Sequence, residues 1–86
     1  MSNLYIITGP AGVGKSTISR RIAESKNKSA LIEGDEIYHQ VVGGYVQAWK
    51  EGNHLDTFWK ICLSSIETYL EDGYDVIFNC GKNKLK

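Results

Sequence analysis

The residues Gly9-Pro10-Ala11-Gly12-Val13-Gly14-Lys15-Ser16-Thr17 carry the pattern G-x-x-x-x-G-K-[ST] in full. The chemistry that suits this spacing is the holding of a chain of phosphates. Consecutive backbone N–H groups must wrap the anion, and side chains would keep it at a distance. Glycines at 9, 12 and 14 permit positive φ and close approach. Lys15 has the reach of a mobile point charge for the β- and γ-phosphates. The Ser16 hydroxyl can take one place on Mg²⁺, which prefers oxygen ligands, and Thr17 can donate to an α-phosphate oxygen. A helix starting at the loop would add unpaired N–H groups and a partial positive charge.

A second group of chemical interest is Glu33-Gly34-Asp35-Glu36. Ligands of open parallel sheets bind outside the carboxyl ends of the strands. Asp35, placed there, can accept the proton of an attacking hydroxyl or hold the acceptor in line. It can equally serve as a helix N-cap. Glu33 either supports Mg²⁺ through water or marks an exposed strand end, and Glu36 reads as solvated. A third apolar run, Val76-Ile77-Phe78, ends in Asn79 where phosphoryl-transfer enzymes usually place a magnesium-holding aspartate. Asparagine can hydrogen-bond a metal-bound water but brings no charge, and Asp75 is at the wrong end of that run.

These groups need elements to position them. Leu4-Tyr5-Ile6-Ile7 reads as a short, fully buried strand that stops at Thr8-Gly9-Pro10. Residues 16–25 read as a helix with Ile18 and Ile22 one turn apart, ending in cations at Lys26 and Lys28. Ser29 to Glu33 is a second strand, which completes a βαβ unit with parallel strands. Asp35 to Val42 can open a helix that Gly43-Gly44 interrupts, and residues 45–52 read as irregular or as one helical turn. Asn53 is a good N-cap and Gly73 a good stop for a long helix. Leu55, Phe58, Trp59, Cys62, Ile66, Tyr69 and Leu70 form its apolar stripe. Asp75 to Asn79 is the third strand, and residues 80–86 read as a loose polar tail.

Composition narrows the function classes. Ten basic and ten acidic residues in 86 cancel, which argues against a nucleic-acid clamp. The 42% hydrophobic and 23% charged fractions are those of one globular domain, assigned to residues 1–79. No apolar run approaches the ~20 residues of a membrane span, and the start does not read as a signal peptide. Cys62 and Cys80 read as buried thiols in a cytoplasmic protein. Phe58, Trp59 and Tyr69 read as core, and Arg20 and Arg21 as a solvated face. His39 and His54 have no partner at metal-ligand spacing. Asn83-Lys84-Leu85-Lys86 has Lys where the guanine-reading N-K-x-D element needs Asp.

The stretch from Tyr5 to Thr17 resembles the opening of the small P-loop kinases, the group of shikimate, gluconate and adenylylsulfate kinases and chloramphenicol phosphotransferase. Leu31-Ile32-Glu33-Gly34-Asp35-Glu36-Ile37 is similar to the acidic segment ending their second strand, where an aspartate faces the substrate hydroxyl. The resemblance covers residues 4 to about 79 and implies an α/β, three-layer P-loop NTPase-type fold, truncated to three parallel strands in the order 2-3-1. It implies ATP and Mg²⁺ as cofactors, Lys15 and Asp35 as catalytic residues, and Ser16, with Glu33 through water, at the metal. It also places the acceptor pocket after the acidic segment, near Tyr38, His39, Tyr45 and Trp49, for which ordinary packing is the competing reading.

A complete kinase of this kind has two further strands, a lid arginine and an adenine-gripping loop, for which 86 residues leave no room. The expectation is therefore the front part of an ATP-dependent kinase acting on a hydroxyl of a small molecule. Its first strand becomes a sheet edge that invites a second copy or a complementing chain. Two other functions stay open: a non-catalytic nucleotide-binding module that self-associates, and a P-loop ATPase.

Overall fold

A computed structural model of the chain describes residues 2–9 and 14–81. Six elements follow in the order β1 (Leu4–Gly9), α1 (Lys15–Glu24), β2 (Ser29–Glu33), α2 (Gly34–Tyr38), α3 (His54–Glu71) and β3 (Asp75–Gly81). The three strands form one parallel sheet in the order β1-β3-β2, with flanking helices. The last strand in sequence is thus the central one. Val76, Ile77 and Cys80 of β3 are fully buried, as a continuous apolar run in a parallel sheet should be.

Residues paired across parallel strands point to the same face. One face therefore carries Ile32, Val76, Phe78 and Cys80, which pack with Phe58, Cys62 and Ile66 of α3 in the core. The other carries Tyr5, Ser29, Glu33 and Asn79, and each of these side chains meets α1 or its C-terminal turn. The α3 helix ends on a pair of bonds, Gly73 N–H to the Leu70 carbonyl and Tyr74 N–H to the Tyr69 carbonyl. That is the Schellman arrangement, and the Tyr69 and Tyr74 rings meet edge to face at 5.2 Å across it. No helix among the described residues is long and apolar enough to cross a membrane.

Four expectations need correction. β1 is not fully buried: Leu4 is 41% and Ile6 61% exposed, because β1 is an edge and the core with α3 is built on β2 and β3. In α1 the fully buried residue is Ser19, and Ile18 is 51% exposed. The helix is turned so that Ser19 meets Asn79, a polar pairing that outweighs the apolar spacing of Ile18. The helix after β2 begins at Gly34 and stops at Tyr38, so Asp35 lies in its first turn and Glu33 holds the N-cap position. Finally, β3 continues through Cys80 and Gly81, because they pair with Thr8 and Gly9 of β1. The expected tail is thereby shortened to residues 82–86, which lie outside the described residues.

Candidate functional site

Because the strands are parallel, their carboxyl ends collect on one side of the molecule. Gly9 pairs with Gly81 there, and Glu33 with Asn79. The same side receives the start of α1 and the start of α2. Gly14 is the N-cap residue of α1 with φ 77° and ψ 22°, the left-handed conformation that L side chains avoid. It turns the chain directly into Lys15, Ser16 and Thr17, the first three residues of the helix. Pro10, Ala11, Gly12 and Val13 of the expected phosphate loop lie outside the described residues.

The structure brings two expected metal-site residues together. The Ser16 hydroxyl donates to Glu33 Oε1 at 2.6 Å, joining the first turn of α1 to the end of β2. Among the described residues, no three His, Cys, Asp or Glu side chains gather into a metal-binding group. The donors available are the Ser16 hydroxyl and the Glu33 carboxylate. This set suits a hard cation that takes its remaining oxygen ligands from phosphate and water. Lys15, which precedes Ser16 in the first turn of α1, is half-buried, and Ser16 and Thr17 are exposed.

Asn79 has a different position from the one a metal-bound water would require. Its side chain is 3% exposed, and its amide donates to the Ser19 hydroxyl at 3.1 Å. It holds α1 against the sheet.

Gly34 lets α2 start where it does. A Cβ at this position would lie 2.8 Å from Cys80 Cβ and 3.0 Å from the Asn79 carbonyl oxygen. Only a bare backbone can pass so close to β3, and the next residue is Asp35. Asp35 is half-buried, and its backbone carbonyl accepts from the backbone N–H of His39 at 3.0 Å. His39 Nδ1 lies 2.6 Å from the same oxygen, so that nitrogen carries the hydrogen and donates. The His39 ring stacks on Tyr45, with centroids 5.7 Å apart.

Below α2 the aromatic residues form a hollow. Tyr38 is buried and donates its hydroxyl to the Val46 carbonyl, which fixes the segment from 41 to 46 over α3. Burial, reinforced by Tyr45, pushes the Tyr38 phenol above its ordinary value, so it stays a donor. Tyr38 and Tyr45 line a cavity of about 210 Å³ with Phe58 and His54, while Trp49 is 64% exposed and takes no part. His54 was not distinguishable in the sequence, since its setting depends on rings supplied by α2 and the 41–46 segment as well as by its own helix.

The sequence matches no protein-family model and no curated protein.

Proposed function

We propose that the chain binds ATP with Mg²⁺ through residues 9–17, as the donor-phosphate part of a P-loop kinase acting on a small hydroxylated substrate. The observation that carries this reading is the Ser16–Glu33 hydrogen bond, set directly after a left-handed Gly14 at the carboxyl ends of a parallel sheet. In this reading the N–H groups at the start of α1 and the Lys15 ammonium hold the phosphates. Ser16 and Glu33 supply oxygen ligands, Glu33 through water, to the Mg²⁺, which when bound neutralises charge on the transferred phosphoryl group. Asp35, following Gly34, orients the acceptor hydroxyl and takes its proton.

Calorimetric titration of the chain with ATP, with and without Mg²⁺, tests the binding part, with Lys15→Ala as the control. Saturable, Mg²⁺-enhanced binding that Lys15→Ala abolishes is expected. Equal binding by wild type and Lys15→Ala would sink the proposal. Labelled ATP offered with a panel of hydroxyl compounds separates transfer to a substrate from transfer to water.

The edge position of β1 favours a second reading, a nucleotide-binding module that self-associates. Leu4 and Ile6 present apolar surface on a strand that has β3 on one side and no strand on the other among the described residues. Sedimentation with and without ATP distinguishes it: a nucleotide-sensitive dimer indifferent to Asp35→Ala would favour the module.

A further inference from the structure

β3 is the central strand, and its last residue, Gly81, pairs with Gly9, the first residue of the phosphate motif. Neighbouring strands run about 4.8 Å apart. The backbone therefore leaves the sheet one strand spacing from that motif. It leaves at the carboxyl edge, the side on which an open parallel sheet binds its ligand. Lys82 and Lys84 follow one and three residues later, and a chain advances at most about 3.5 Å per residue. Both are thus tethered close to Gly9. Lys82, Lys84 and Lys86 themselves lie outside the described residues; the point from which they depart is described.

The charge of the chain divides at the same point. Residues 1–81 hold seven basic and ten acidic side chains, and residues 82–86 hold three lysines and no acid. The balanced total is an acidic body with its compensating cations gathered next to the phosphate motif. On the ligand side the imbalance is sharper. The strand ends and the first turns of α1 and α2 bring one cation, Lys15, against Glu33, Asp35 and Glu36. Lys15 and one Mg²⁺ do not offset a triphosphate set beside three carboxylates. Lys26 and Lys28 are held at the amino ends of the strands, by the Tyr5 hydroxyl and the Asp72 carbonyl. Arg20 and Arg21 lie more than a turn along α1 from Lys15.

We propose that Lys82 and Lys84 are phosphate-binding residues, adding their ammonium groups to that of Lys15 on the β- and γ-phosphates of the bound nucleotide. This rests on the nucleotide reading of residues 9–17. Ammonium–phosphate contacts are charge-assisted hydrogen bonds, and lysine serves in them as a point charge on a flexible stem. Glu33, Asp35 and Glu36 are the competing partners, but a triphosphate concentrates more charge than any one carboxylate.

The test treats the chain with an acyl phosphate of ATP. Lysine amines beside the phosphates take the acyl group and release the nucleotide, and tandem mass spectrometry reads the acylated positions. Acylation of Lys15 together with Lys82 or Lys84, suppressed by excess ATP, is expected. ATP-suppressed acylation of Lys15 alone overturns the proposal and leaves the nucleotide reading standing. ATP-suppressed acylation nowhere overturns both. Fluorescence titration with a labelled ATP analogue then compares two double variants of equal charge. Lys82→Gln/Lys84→Gln weakens binding about tenfold at low salt, and the loss shrinks as salt screens the charges. Lys50→Gln/Lys60→Gln, at exposed positions of other segments, binds as wild type does. Equal losses in the two variants, or no loss in the first, overturn the proposal. If the first variant fails to fold, the acylation pattern of the wild type decides alone.

Discussion

The Asn79 amide donates to the Ser19 hydroxyl at 3.1 Å, and both side chains are buried although 60 residues separate them. Each is the other's justification. Removing one partner leaves a desolvated polar group, at a cost of about 1–3 kcal/mol, whereas removing both is close to neutral. Ser19→Ala is therefore expected to lower stability by about 1–3 kcal/mol in urea unfolding. The double variant Ser19→Ala/Asn79→Leu should recover most of that loss. A double variant as unstable as the sum of its parts would show that the bond does not couple α1 to β3.

The same pair marks the limit of what the sequence discloses. Three apolar runs and the parallel arrangement were legible in the residues, because buried parallel strands are continuously apolar and a helix is needed to connect them; the strand order was implied only by the resemblance to the small P-loop kinases. The ends of α3 were legible from Asn53 and Gly73. The rotation of α1 was not, since periodicity ranks Ile18 above Ser19 and cannot see a partner on β3. For the candidate site, the spacing of Ser16 and the sequence position of Glu33 indicated one chemistry. Their hydrogen bond depends on the sheet that stands between them. Of the ring-lined cavity, Tyr38 and Tyr45 were legible as pocket candidates, whereas Phe58 and His54 were not, because they meet those rings only when α2 and the 41–46 segment close over α3.

Two glycines flanking the site should fail on substitution for different reasons. Gly34→Ala places a methyl 2.8 Å from Cys80 Cβ, and β3 backbone blocks its escape. A loss of about 1–3 kcal/mol is expected, as for overpacking elsewhere. Among the described residues, Gly14→Ala meets no atom within 4 Å but must hold φ 77°, a cost of about 1–2 kcal/mol. Thermal unfolding of both variants, together with Gly14→Asn, separates the mechanisms. Asn tolerates the left-handed region, so it should restore part of the loss at position 14. No recovery there would count against conformational strain as the cause.

Burial, reinforced by neighbouring Cys80, pushes the Cys62 thiol up from 9.0 to about 11. The folded state thus keeps its proton where the unfolded chain has released it. Stability from this group is fully present below pH 9 and falls between about pH 9 and 11, by at most about 1.4 kcal/mol per pH unit. Tyr38, also raised by burial, adds a loss of the same sign in alkaline solution. Urea midpoints compared at pH 8 and pH 10 should decline more steeply for wild type than for Cys62→Ala. Parallel slopes would exclude Cys62 as the titrating group.

If Glu33 serves the metal, its charge is the quantity that matters. Glu33→Gln retains an oxygen that can accept from Ser16, so the local geometry is kept while the charge is lost. The expected result is a rise of about 10–100-fold in the Mg²⁺ concentration needed for half-maximal ATP binding. Binding in the absence of Mg²⁺ should change little. Fluorescence titration with a labelled ATP analogue reads both numbers. An unchanged Mg²⁺ requirement would remove Glu33 from the metal site.

The edge of the sheet gives the last prediction. Along β1, Leu4 and Ile6 are exposed on the face that α3 covers elsewhere. An uncovered edge strand of this composition is a template for another strand, and proteins ordinarily blunt such edges with charge. Among the described residues, β1 itself carries no charged side chain. Pairing of β1 with β1 of a second copy would continue the sheet and bring two Ile6 side chains under cover. Sedimentation velocity at increasing concentration should therefore show self-association of the wild type. In Ile6→Lys a charge placed on that face should shift the equilibrium to monomer by about tenfold or more, while far-UV circular dichroism stays unchanged. Because Ile6 is 61% exposed, the substitution costs the fold little. Association that persists in Ile6→Lys would move the contact to another surface and leave β1 with the role of an ordinary free edge.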